Sequence, residues 1–204
     1  MTFDEKRNGA DEGFLSERQV FVLEVSVCIA TGLRRAAAKN NVRQLSDFLN
    51  GLAFCGLLLE GDGRGKGPRF GKLFQEKAPL YRQAIESKAV RNCEAALTQM
   101  AFHEVGVTDL AADEMLITVG LASETAIREI SEEYGFSAAE RMEAVTIAIV
   151  LGILAVTKPD RIDEAFEKVG KAVSDKSEAW NSLSEAGDAP EQPSGRGENV
   201  VYLQ

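Results

Sequence analysis

A chain of 204 residues with 45% hydrophobic and 27% charged side chains can bury one ordinary core without disulfides or a structural metal. Composition therefore excludes the small cross-linked scaffolds and marks no fibrous, disordered or membrane class. The net charge of −9 is unevenly spread: residues 61–91 carry eight Lys or Arg against three acidic residues, whereas 94–191 carry twenty Asp or Glu against seven basic ones. The two halves are expected to face different partners, or each other.

Residues 1–15 are polar and read as a loose arm. Ser16-Glu17-Arg18-Gln19 is a capping-box pattern that opens a helix over 20–33. Phe21, Leu23, Val25, Val27 and Ile29 also alternate as a strand would, but a strand needs partners, and the other candidate runs all lie in capped, helix-length contexts. Arg34-Arg35 places positive charge at the helix end, Asn40-Asn41 supplies a turn, and 42–60 forms a second helix in which Gly51 and Gly56 admit a close neighbour. Residues 61–71 form a Gly-rich loop. Pro79 then starts an amphipathic helix reaching about Val105, with Tyr81, Ala84, Ile85, Ala89, Cys93, Ala96, Leu97 and Met100 on one face.

A further helix over 109–134, with a break expected near Gly120–Ser123, ends at Gly135. Ser137 and Glu140 then cap the stretch at 140–157, which is apolar on every face and is the candidate central helix. Its thirteen aliphatic-rich residues span only about 20 Å, short of the roughly 30 Å of a bilayer core, so no membrane span is expected. Pro159 to about Val173 and Ser174 to about Ala186 read as two surface helices, and 187–204 as a disordered tail whose Val200-Val201-Tyr202-Leu203 is at most a short docking peptide. The expected fold is all-α, with about seven or eight helices packed as one domain over 16–186 around the helix at 140–157.

Cys28, Cys55 and Cys93 are widely spaced among small and apolar residues, so they are expected to be free, largely buried thiols in a reducing cytoplasm. The start of the chain carries no apolar secretory run. His103, the only histidine, lacks the Glu-x-x-His spacing of a di-iron bundle because Met100 stands three residues before it. No metal ligand, cofactor or nucleophile is therefore assigned. Residues 128–137 have the turn of a helix-turn-helix, but the following helix carries Arg141 where a core residue belongs and is too apolar to leave the core.

The strongest anion signal is the loop cluster Arg64, Lys66, Arg69 and Lys72 among glycines. It is not a Walker A loop, since Gly61 and Gly65 are one residue too close and Gly67 stands where the magnesium-binding hydroxyl belongs. The expected function is accordingly a non-catalytic helical interaction or regulatory protein acting through protein–protein contacts, with a homodimer among its forms and its partner unidentified. One alternative is a nucleic-acid or phosphate-ligand binder using 61–72 together with Arg34, Arg35, Lys39 and Arg43. Another is an enzyme whose carboxylate or metal site no spacing rule reveals.

Overall fold

Ser137 starts the helix on which the others are arranged. Its Oγ accepts from the Glu140 N–H at 3.3 Å while Glu140 Oε2 accepts from the Ser137 N–H at 2.7 Å, so the first turn has its unpaired donors satisfied reciprocally. The helix that follows, Ala138–Val156, has every residue from Met142 to Ile153 buried. The computed structural model describes residues 15–39, 42, 44–61, 68–87, 93–100 and 112–185. Those residues form seven α-helices and a 3-10 turn, with no strand among them.

In chain order these are α1 (Glu17–Lys39), α2 (Leu45–Gly61), α3 (Phe70–Glu86), α4 (Cys93–Gln99), α5 (Ala112–Tyr134), α6 (Ala138–Val156), the 3-10 turn Pro159–Arg161 and α7 (Ile162–Glu185). α6 packs against α1, α2 and α3, and more lightly against α4, α5 and α7. α5 lies principally on α2, and α7 on α3. The α2–α5 crossing is close because a Cβ on Gly51 would overlap Val119, and one on Gly120 would lie 2.5 Å from Phe54 Cδ1 and 3.1 Å from the Gly51 carbonyl oxygen. Each glycine costs a helix about 1 kcal/mol relative to alanine, which backbone-to-backbone packing offsets here. Gly135 ends α5 at φ +64°, a conformation few side chains tolerate.

Several boundaries differ from the sequence expectations. Pro79 lies inside α3 rather than at its start, because Phe70, Leu73, Phe74, Ala78, Tyr81 and Ile85 bury one continuous face across it. That burial outweighs the roughly 3 kcal/mol a proline costs mid-helix, and Pro79 itself is on the exposed side. The helix stops at Glu86 instead of continuing to 105. α5 is unbroken through Gly120–Ser123, and α7 is one helix rather than two: Ser174 accepts from Gln75 Nε2 at 2.7 Å and Ser177 bonds to α3, so these serines tie helices together instead of capping a new one. α1 runs past Arg34-Arg35 through an alanine-rich turn to Lys39. Cys55 is buried, but Cys28 is exposed, because α1 turns Val22, Leu23, Ser26, Val27, Ile29, Ala30 and Leu33 inward and Cys28 outward. Residues 1–14, the Cys93 side chain, His103 and the tail lie outside what the structure describes.

Candidate functional site

Of the four cations expected to meet an anion, Arg64 and Lys66 lie outside the described residues, while Arg69 and Lys72 are both exposed. Arg69 is the residue preceding α3, its backbone extended and its side chain making no cap bond. Lys72 Nζ is 3.9 Å from Glu76 Oε1 on the same exposed face, a pairing worth at most about 1 kcal/mol.

Two backbone donors beside them, those of Phe70 and Gly71, are already occupied. Glu60, at the end of α2, accepts the Phe70 N–H at 2.7 Å and the Ser177 hydroxyl at 3.4 Å, and Ser177 Oγ accepts the Gly71 N–H at 3.3 Å. A helix N-terminus attracts anions through these donors, and here the chain supplies its own carboxylate. A phosphate arriving at the Phe70 and Gly71 donors would have to displace Glu60 and Ser177. Nothing in the spacing of the Gly-rich loop marks Glu60 or Ser177; the one available signal is a carboxylate at the end of a helix immediately before a glycine run.

Of the supporting basic residues, Arg34, Arg35 and Lys39 lie on the C-terminal part of α1. Arg34 is buried in α1, where burial lowers its pKa from the usual value, and Arg35 donates to Gln99 Oε1 on α4. Arg43 lies outside the described residues.

Between α3 and α7 runs an open groove of about 540 Å³ lined by Phe74, Ala78, Pro79, Phe166 and Gly170. Most of its polar side chains are paired with one another, Lys171 with Asp175 at 2.9 Å, Gln75 with Ser174, and, beside Phe166, Arg82 with Asp163 at 2.6 Å, and Glu167 also lines it. The Arg82 guanidinium lies over the Phe166 ring at 4.9 Å. Shape and apolar contact are what this groove offers, rather than converging acid and base.

A second polar group is enclosed. Tyr81 is fully buried and its hydroxyl donates to Glu143 Oε2, while Lys77 Nζ stands 4.0 Å from Oε1. Burial first, and the Glu143 carboxylate second, raise the Tyr81 pKa far above the ordinary phenol value, so the phenol stays protonated and donating. Among the described residues no group of three or more His, Cys, Asp or Glu could hold a metal ion, and no helix is long and apolar enough to cross a membrane.

The exposed large apolar side chains among the described residues, which no sequence motif singles out, are Phe21 on α1, Leu80 on α3, Ile117, Leu121 and Tyr134 on α5, and Val156 on α6. Ile117 (47% exposed) and Leu121 stand one turn apart on α5, while Phe21 of α1 and Tyr134 at the end of α5 meet edge to face at 6.1 Å and remain partly open. A periodicity signal does exist: Val119, Ser123, Ile127 and Ser131 trace the buried face of α5, and Ile117 and Leu121 fall off it. Arg18 spans this end of the bundle, 5.3 Å from the Phe21 ring and 5.7 Å from that of Phe136, and is bonded to Glu140 at 2.6 Å and to the Gly135 carbonyl at 2.9 Å. Compared with protein-family models, curated proteins and solved structures, the chain matches none.

Proposed function

We propose that this is a non-catalytic helical interaction protein, regulatory in role, that works by presenting apolar helix faces to other protein surfaces. The observation that carries the reading is the exposure of Ile117 and Leu121 one turn apart on α5, beside a core that is already closed; Phe21 and Tyr134 form a second exposed pair at the far end of α5. Single exposed hydrophobics are ordinary on any protein, but large ones side by side on one helix face favour a contact surface. The fully engaged Tyr81–Glu143 pair and the internally paired groove residues favour this over acid–base catalysis.

The test is capture of partners from the native host with the wild-type chain and with an Ile117→Glu/Leu121→Glu variant as baits. A partner retained by wild type and lost by the variant, at unchanged melting temperature, is the expected result. Identical capture by both baits would count against the α5 face. Nucleic acid retained by the wild type, released steeply with salt and lost in Arg69→Ala/Lys72→Ala would favour the anion-binding alternative instead.

A further inference from the structure

α1 packs mainly on α6, and α5 and α4 reach only the two ends of its outer side, at Phe21 and Arg35. Its inner side packs on α6, while its outer side carries Phe21, Val25, Cys28, Gly32 and Arg35, spaced four, three, four and three residues apart. That spacing draws a straight seam along one side of a helix and is the pattern by which helices pair in coiled coils. Phe21, Cys28, Gly32 and Arg35 are exposed and Val25 is half-buried. At the head of the seam, Phe21 is held by Tyr134 and Phe136 at ring distances of 6.1 and 6.2 Å, so it is a fixed anchor rather than a loose side chain.

Gly32 is the unexplained member. Gly51, Gly56, Gly71 and Gly120 each have a neighbour that a Cβ would strike, but a Cβ on Gly32 would meet nothing within 4 Å among the described residues. A glycine in mid-helix weakens the helix, and among the described residues no packing contact compensates for this one. A backbone approaching from outside would.

We propose that this seam pairs antiparallel with the same seam of a second copy of the chain, across a two-fold axis passing by Cys28. The inference rests on the interaction reading above and names one partner for it. The charges choose both the occupant and the direction. Cys28 is midway between Phe21 and Arg35 and midway between Glu24 and Gly32, so in a two-fold antiparallel pair Phe21 faces Arg35 of the partner subunit and Glu24 faces Gly32 of the partner subunit. Glu24 stands about 4.5 Å along the axis from Phe21, within reach of that same guanidinium. Each Arg35, which within the chain donates to Gln99, thus gains the Glu24 carboxylate of the partner subunit, twice by symmetry, while the glycine admits close approach beside Glu24; the Phe21 ring, already faced by Arg18, contributes apolar contact. Parallel pairing would set Glu24 against Glu24 and Arg35 against Arg35, and like charges oppose it.

The full-length chain in sedimentation velocity should show a reversible species of twice the 22.1 kDa monomer mass. Glu24→Arg and Arg35→Glu should each raise the dissociation constant at least about tenfold, and the double reversal should restore it, a rescue that local misfolding would not give. A short bis-maleimide should link the dimer through Cys28, and Cys28→Ser should dimerise without being linked. A strictly monomeric mass at every concentration overturns the inference while leaving partner capture through α5 intact. A dimer indifferent to the charge reversals and unlinked at Cys28 overturns the α1 assignment, whatever other surface holds it. A different protein that competes for the seam and binds it while the chain alone stays monomeric also overturns it.

Discussion

Replacing Glu140 by Gln separates the charge of this side chain from its capping role, because the amide oxygen can still accept the Ser137 N–H that the carboxylate holds at 2.7 Å. In the native chain the Arg18 guanidinium, bonded to Glu140 at 2.6 and 3.1 Å, and the cap bonds to Ser137 lower the Glu140 pKa from 4.5 to about 2. A shift of that size corresponds to at most about 3.4 kcal/mol of stability. The Arg18 side chain is 49% exposed, and solvent screening reduces the expected contribution to about 1–2 kcal/mol. The folded pKa is the lower one, so the contribution is complete above about pH 4.5 and is lost as pH falls towards 2. At neutral pH Glu140→Gln should melt about 2–8 °C below wild type, and the two melting curves should converge across that acid interval. The assay is thermal unfolding of both proteins at closely spaced pH values. A variant as stable as wild type at neutral pH, or a difference that does not change from about pH 5 to about 2, would refute the assignment.

Ile149→Asp places a carboxylate at a fully buried point of α6 and should cost several kcal/mol, enough to prevent cooperative unfolding in circular dichroism, whereas Lys72→Ala on exposed α3 should change stability by less than about 0.5 kcal/mol. Gly51→Ala forces a methyl into Val119 and should lower stability by about 1–3 kcal/mol in urea titrations. A maleimide should label Cys28 rapidly in the native protein and Cys55 only on unfolding, since Cys55 is enclosed and burial pushes its thiol pKa well up.

The all-helical class was legible because its cues are local. The Ser16–Gln19 and Ser137–Glu140 caps form the reciprocal bonds that their spacing implies, and the stretch at 144–153 is too apolar to lie anywhere but inside. Boundaries failed where tertiary packing outweighed a local signal: Pro79 inside α3, Gly120 inside α5 and Ser174 inside α7 all look like punctuation in one dimension and are held in helix by burial or cross-helix bonds. The outward turn of Cys28 was hidden for a related reason. From Val20 to Leu33 only Glu24, Ser26 and Thr31 break the run of apolar and small residues in α1, so composition does not reveal which side meets α6. At the candidate anion site the sequence shows the cations, but the carboxylate that takes the backbone donors comes from the preceding helix, and only folding brings Glu60 to Phe70.

The enclosed Tyr81–Glu143 pair bears on how many folded states the bundle has. Between Ala144 and Ile153, α6 offers its neighbours aliphatic side chains on every side, and a surface so uniform can be packed in several rotational settings or slid by one turn, about 5.4 Å, with little change in apolar area. Any such slip carries the Glu143 carboxylate away from the Tyr81 hydroxyl and from Lys77, leaving a buried charge unsatisfied at a cost of several kcal/mol. The pair is thus expected to act as a detent that holds α3 and α6 in one register. The double substitution Tyr81→Phe/Glu143→Leu should keep the melting temperature near or above that of wild type while splitting or broadening the amide resonances of α3 and α6, and a single sharp set would refute the detent. How firmly this bundle folds and how uniquely it folds are therefore set by different residues.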